Sequence, residues 1–355
     1  MKIRKKRTAA FVLVILMVMP CLCGYSSSMA ALSVSEKTNP ASDNITETDI
    51  RIGVAWRADT DSEFYTNICR AIEEAGGEAV LLEQVIDRDL QYTDGMIAAE
   101  GVTENDYLTL EYADIVKDNT YHNSNAEEIF NNANVNSVIF TGGEDISPTL
   151  TAVSADWHHI EEEKDYNATR DVSDYLLMAY CIDKDIPVMG FCRGMQMLAV
   201  VSGASMIQDI PTFYAEQGLA YNYEHRNEKA NADSYRDYAP HDVSIVNKDS
   251  VIYNIFGTGT VKNVPSWHHQ AVLSVEGTPL AVTAVADTDG YDIIEAIERT
   301  DKSLIMGFQF HPEAAIVKYL EHAENADNFM NYDIAVPVFS YLIDYAGVAA
   351  VQPAA

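Results

Sequence analysis

Ile186-Pro187-Val188-Met189-Gly190-Phe191-Cys192-Arg193-Gly194-Met195-Gln196 is the stretch on which the reading of this chain turns. An apolar run of strand type ends in Gly-Phe-Cys-Arg-Gly, and Met197, Leu198 and Val201 continue at helical spacing. Strand, sharp turn, helix is the layout of a nucleophile elbow, which lifts one side chain above the edge of a sheet. Glycines two before and two after that side chain let neighbouring backbone pass where a Cβ would clash. A thiol held there sits at a helix N-terminus, whose partial positive charge favours the thiolate. The same string also suits a buried cysteine packed between two turn glycines. The surrounding chain has to decide.

On either side of the elbow the pattern is βα. Ile50 to Trp56 reads as a strand. Phe64, Ile68, Ala71 and Ile72 follow at helical spacing up to Gly76-Gly77, and Ala79 to Leu82 reads as a second strand. That alternation predicts a parallel sheet with helices on both faces. Residues 83–134 are less regular, with room for one or two short helices. Val138-Ile139-Phe140-Thr141-Gly142-Gly143 is a strand running into a paired-glycine turn. In open α/β sheets ligands bind beyond the carboxyl ends of strands, so this turn should share a crevice with the elbow. A helix within residues 165–183 leads into the elbow strand. Residues 203–209 read as a turn and short strand, and residues 210–239 as a polar, tyrosine-rich excursion. Strands are expected at 241–246, 281–286, 293–298 and 304–310, with an Asp289-Gly290 hairpin and a last helix over 333–345.

A second stretch supplies what a cysteine nucleophile needs. In Met306-Gly307-Phe308-Gln309-Phe310-His311-Pro312-Glu313 a strand ends in a histidine, with a carboxylate two places on. His311 fits the base and Glu313 the group that orients it. Pairs His158-His159 and His268-His269 invite a metal reading, but adjacent side chains diverge and no His-x-x-x-His spacing occurs. No metal or cofactor is expected.

The 355 residues carry a formal charge of −31, with 48% hydrophobic residues and 20 tyrosines, ample for a core. Lys2, Arg4, Lys5, Lys6 and Arg7 precede an apolar run, Ala9 to Met19, and the small residues Ser28-Met29-Ala30. This reads as a signal peptide over residues 1–30, with a retained N-terminal anchor as the second reading. Residues 31–48 are a polar spacer, residues 49–348 the folded domain, and residues 349–355 a tail. Without the five basic residues of the leader, 18 remain against 54 acidic ones, a net charge of −36. Such a surface argues against nucleic acid and anionic membrane as partners. Secretion, or a periplasmic or cell-surface place, is the expectation. Cys69, Cys181 and Cys192 then remain, an odd number that leaves at least one thiol unpaired within the chain.

Together these residues resemble class I glutamine amidotransferases. Gly190-x-Cys192-x-Gly194, the His311-Pro-Glu313 ending and the Gly142-Gly143 turn carry that resemblance. Finer motifs are similar to the gamma-glutamyl-gamma-aminobutyrate hydrolases, a branch of gamma-glutamyl peptidases. They are Thr141-Gly-Gly-x-Asp145-x-x-Pro148, Arg170-Asp171, Cys192-Arg-Gly-x-Gln196, Tyr238-Ala-Pro-His241, Ser266-x-His268-x-Gln270 and Asp289-Gly290 followed by Glu295-Ala296. The chain departs at Phe310, where the branch often has Trp, and in the length of residues 83–134.

The resemblance implies an α/β three-layer sandwich with a mostly parallel central sheet, and a Cys192-His311-Glu313 triad. It implies hydrolysis of a gamma-glutamyl amide bond through a thioester, with the N–H groups of Gly143 and Arg193 as oxyanion hole. Gln196, Ser266 and His268 would hold the glutamyl head group. Arg193, Arg170 and Arg226 are candidates for the cation its carboxylate needs. The expected partner is a small gamma-glutamyl substrate, and a homodimer is admitted. A glutaminase half of an amidotransferase and a non-catalytic exported binding protein are the alternatives.

Overall fold

The computed structural model describes residues 50–152, 165–229, 236–288 and 290–351, the side chains of 350 and 351 excepted. All lie within one compact unit, Ile45–Ala355. The opening β-α-β forms as its pattern predicts. Strand β1 (Arg51–Val54) leads through helix α1 (Glu63–Glu74) to β2 (Glu78–Leu81), and the strands pair in parallel. Tyr65, Ile68, Ala71 and Ile72 are the buried stripe of α1. The N–H of Gly77 returns to the carbonyl of Ile72, closing the helix.

The long irregular region holds a small hairpin, β3 (Tyr92–Thr93) and β4 (Met96–Ile97), then α2 (Leu110–Asn119) and α3 (Ala126–Ala133). After it come β5 (Ser137–Phe140), α4 (Ala168–Lys184), β6 (Val188–Phe191) and α5 (Arg193–Val201). The irregular region is pinned onto α4 by side-chain hydroxyls: Ser173 accepts the N–H of Val85 and Thr169 that of Ile97. None of its residues lines the cleft above the sheet.

Strand β7 (Ser205–Ile207) and α6 (Ile210–Glu216) open the second half, followed by β8 (Ala239–Ile245), α7 (Val251–Phe256), β9 (Thr260–Ser266) and β10 (Ala271–Ser274). The chain ends with β11 (Leu280–Thr288), β12 (Tyr291–Arg299), β13 (Ile305–Phe308), α8 (Pro312–Leu320) and α9 (Tyr332–Val351). The central sheet has nine strands in the order β2-β1-β5-β6-β13-β12-β11-β8-β9. From β2 to β13 every pairing is parallel, and from β13 to β9 every pairing is antiparallel.

Several elements have no clear signature in the sequence. Helix α6 interrupts the polar excursion, α7 has only one and a half turns, and β9 and β10 carry little alternation. Helix α8 begins at Pro312, because proline suits the first helical position. Asp289 and the pair His158-His159 lie outside the described residues, but Thr288 and Tyr291 face each other as the hairpin requires.

Helices α2 to α5 cover one face of the sheet, and α1, α7, α8 and α9 the other. That makes the α/β three-layer sandwich, with a core on each face. Cys181 packs into the first core and Cys69 against the second, so the sheet separates them and both thiols are free. The close fit of α5 depends on a glycine pair. Gly190 on β6 and Gly307 on β13 are register partners beneath it, and a Cβ on either would collide with Gly194 or Met195 of α5. On the opposite face Phe339 of α9 stacks on Phe191 with ring centroids 5.2 Å apart.

Phe339→Ala removes that stack from a fully buried site. It should destabilise the fold by about 3–5 kcal/mol, read from the urea midpoint. A change under about 0.5 kcal/mol would show that α9 does not brace the elbow strand.

Candidate active site

Cys192 stands where β6 gives way to α5, at φ 49° and ψ −105°. This is a left-handed backbone for a residue with a side chain, and such strain persists only where neighbours over-determine it. Two hydrogen bonds bracket it: the N–H of Cys192 donates to the carbonyl of Phe308 at 2.7 Å, and its carbonyl accepts from Gln196 at 3.1 Å. The turn leaves Sγ in the cleft, 3.8 Å from the carbonyl oxygen of Trp267.

His311 closes the end of β13 and caps α8, whose second residue is Glu313. Nδ1 of His311 and Oε1 of Glu313 are 2.6 Å apart, both side chains fully buried. Nδ1 is the donor to this carboxylate, so Nε2 is the atom left for chemistry, and it has no bond of full hydrogen-bond geometry. Cysteine–imidazole pairs in resting enzymes are commonly looser than a hydrogen bond. Burial alone would depress the proton affinity of His311, but the charges of Glu313 and then Cys192 overcome it and raise the pKa to about 10. Tyr238 and Phe64 hold the ring by edge and tilted contacts, at centroid distances of 5.2 and 5.5 Å. Burial pushes the thiols of Cys69 and Cys181 up, which leaves both poor nucleophiles.

Two backbone N–H groups are set by constraints that can be traced. Arg193 is the first residue of α5, so its N–H has no partner inside the helix. The carbonyl of Gly142 accepts from Arg57 at 2.8 Å and from Arg170 at 3.0 Å. A trans peptide turns its N–H opposite to its C=O, so the N–H of Gly143 faces away from the arginines. Gly143 has φ +138°, and a Cβ there would stand against both guanidinium groups. Only glycine fits.

The cleft encloses about 360 Å³ and is lined by Cys192, Gly143, Gln196 and His268, and also by Arg57, Arg226, Glu144, Asp145 and Asp165. Glu144 is held well below the usual carboxylate range: burial opposes this, but Arg170 and Arg57 prevail. Gln196 Nε2 donates to the carbonyl of Gln270 at 2.9 Å, so its amide braces the wall.

The structure redistributes several expected roles. Ser266 does not reach the cleft; its Oγ donates to the carbonyl of His225 at 2.8 Å. His268 lines the cleft, but its nitrogens face Gln270 and Glu295. Arg193 and Arg170 offer no side chain to a substrate, because both are buried in ion pairs with Asp171, Asp174 and Glu144. Arg226 does line the cleft. Arg57 was missed by sequence reasoning, and an isolated arginine one residue past a strand has no pattern to betray it. His268 and His269 point apart, as adjacent residues should, His269 lying between Asp145 and Asp209 at 2.8 and 3.0 Å.

A model of the peptidase C26 family matches residues 116–313, ending on Glu313. The protein NtpR of Enterococcus hirae is 29% identical over 208 residues, which cover 58% of this chain and 75% of that protein. A Schizosaccharomyces pombe protein named as a candidate glutamine amidotransferase is 30% identical over 198 residues, 56% of this chain and 70% of its own. A solved glutamine amidotransferase of Thermotoga maritima aligns over 85% of this chain and 98% of its own at 14% identity, with a TM-score of 0.42.

The fold raises the proton affinity of His311, so the His311–Glu313 pair stabilises it fully below the ordinary value of 6.5 and loses that contribution as pH rises through about 10. Glu313→Gln should therefore lower the unfolding free energy near neutral pH by on the order of a few kcal/mol, and the gap to wild type should close above pH ~10. A gap that stays constant from neutral pH to the alkaline end would contradict the charged pairing.

Proposed function

The chain belongs to the peptidase C26 family, and from that premise we propose that it is a gamma-glutamyl hydrolase, cleaving gamma-glutamyl peptides or amines through a Cys192 thioester. The observation that carries the reading is a cleft lined by Cys192 and Gly143, with the buried His311–Glu313 pair near enough that the charge of Cys192 acts on His311. Sγ attacks the side-chain carbonyl, and the oxygen that becomes negative is received by the two N–H groups. The C–N bond breaks as His311 gives its proton to the departing nitrogen. Water then attacks the thioester, losing its proton to His311, and glutamate leaves as Cys192 is restored.

The head-group assignment rests on charge. A glutamyl group bears an α-ammonium and an α-carboxylate, and the cleft wall offers Glu144, Asp145 and Asp165 for the first and Arg226 for the second. A net charge of −31 makes a local cation the condition for holding any carboxylate. Export belongs to the same proposal and is supported by the basic and then apolar residues 2–19. The second reading, a glutaminase, is favoured by the relative named for glutamine amidotransferase.

One assay separates these. The mature protein, incubated with a panel of gamma-glutamyl peptides, gamma-glutamyl amines and free glutamine, should release glutamate from the peptides or amines faster than from glutamine. Cys192→Ala should lower that rate by at least about 10⁴-fold with the fold retained. Turnover of glutamine alone would favour the glutaminase, and full activity in Cys192→Ala would remove the thioester mechanism.

A further inference from the structure

Four side chains from four separate segments converge in the antiparallel half of the sheet. Glu295 is carried by β12 and His241 by β8; His268 follows β9, and His225 lies in the excursion after α6. All four are buried. Oε1 of Glu295 is 3.1 Å from His225 Nδ1, 3.4 Å from His241 Nε2 and 3.6 Å from His268 Nε2. The donor atoms of His225, His241 and Glu295 lie within 4.8 Å of one another.

The outward nitrogens settle which atoms carry hydrogen. His241 Nδ1 faces the carbonyl of Glu224 at 3.2 Å, and His268 Nδ1 that of Gln270 at 2.8 Å. A carbonyl oxygen only accepts, so both Nδ1 atoms are protonated, and Nε2 of each ring is the atom turned inward on Glu295. His225 is anchored from outside by Thr288 Oγ1, 2.8 Å from its Nε2. None of the three inward nitrogens, and neither oxygen of Glu295, has a hydrogen bond among the described residues. Lone pairs gathered around a carboxylate repel one another unless a cation lies between them. One proton relieves one contact; a metal ion relieves them all.

The spacing fits such an ion. Tetrahedral zinc with bonds of roughly 2.0–2.2 Å sets neighbouring ligand atoms about 3.3–3.5 Å apart. The contacts to Glu295, 3.1 to 3.6 Å, bracket that edge. A ligating histidine that donates its other N–H to a carbonyl is the usual outer-shell arrangement.

We propose that His225, His241 and Glu295 bind one divalent ion of the zinc class, in a structural site that His268 borders beside the catalytic cleft. Its position gives it work. Arg226, which lines the cleft, adjoins the ligand His225, and His268 at the border of the site follows Trp267, which presents its carbonyl to Cys192. The ion would fasten the Arg226 wall segment to β8 and β12, whichever amide the enzyme cleaves.

The test is made on the mature chain, stripped with chelator, given one equivalent of Zn²⁺, desalted and assayed for metal by mass spectrometry. Wild type and Cys192→Ala should each retain about one ion per chain, with a higher thermal midpoint than the stripped protein. Co²⁺ in its place should show the visible bands of a tetrahedral site. Glu295→Gln and His241→Gln should each weaken binding by more than the roughly 10–100-fold typical of outer-shell partners. Folded wild type that retains no ion overturns the proposal, as does equal affinity in wild type and both variants. Loss of the ion in Cys192→Ala also overturns it, by placing the metal at the nucleophile. Wild-type stoichiometry decides the matter even where a ligand variant fails to fold.

Discussion

A buried ion-pair lattice underlies this active site. Arg193, at the start of α5, reaches Asp171 and Asp174 on α4, and Arg170 of α4 reaches Asp174 and Glu144. Ser147 ties the lattice to the loop after β5 by giving Asp171 two hydrogen bonds, from its N–H and its hydroxyl. Two parallel strands thus end in turns whose relative positions are fixed by charge. Such a lattice is no proof of stability, since burying ions is costly, but losing one partner strands the others at a cost of about 3–5 kcal/mol. Its consequence is positional. The carbonyl of Gly142 is clamped, the first turn of α5 is clamped, and the N–H groups they present keep their aim.

The nucleophile depends on the same clamp. Cys192 occupies backbone angles that an L-residue avoids, and only fixed turns on either side hold it there. Packing supplies the other half. Gly190 and Gly307 let α5 lie directly on the sheet, while Phe191, Phe308 and Phe339 stack beneath. His311 comes from the neighbouring strand, so Cys192 and its base are brought together by a parallel pairing, β6 on β13. The antiparallel half of the sheet carries no catalytic residue, yet it supplies the wall: Trp267, His268, His269 and Gln270 all follow β9.

Local chemistry that repeats along the chain was legible early. The β-α-β opening, the elbow, the Gly142-Gly143 turn and the His311–Glu313 ending all announce themselves by spacing, because strand period, helix period and turn glycines are local properties. Residues acting across long sequence gaps were not. Arg57 lies in the cleft because β1 and β5 pair, and Arg170 is withdrawn from it because acids on α4 and in the β5 loop claim its charge. Ser266 shares a motif with His268, but its hydroxyl is taken up by the carbonyl of His225, 41 residues earlier in the chain.

The sequence by itself therefore determined the fold class, the elbow and the identity of His311 as the partner of Cys192, since each is written in a short stretch whose physics is local. Tertiary structure alone decided which arginines face the substrate and which are buried in the lattice. It alone gathered His225, His241, His268 and Glu295 from segments 70 residues apart around one point. Charges and lone pairs act through space, and only the finished sheet sets the distances between them.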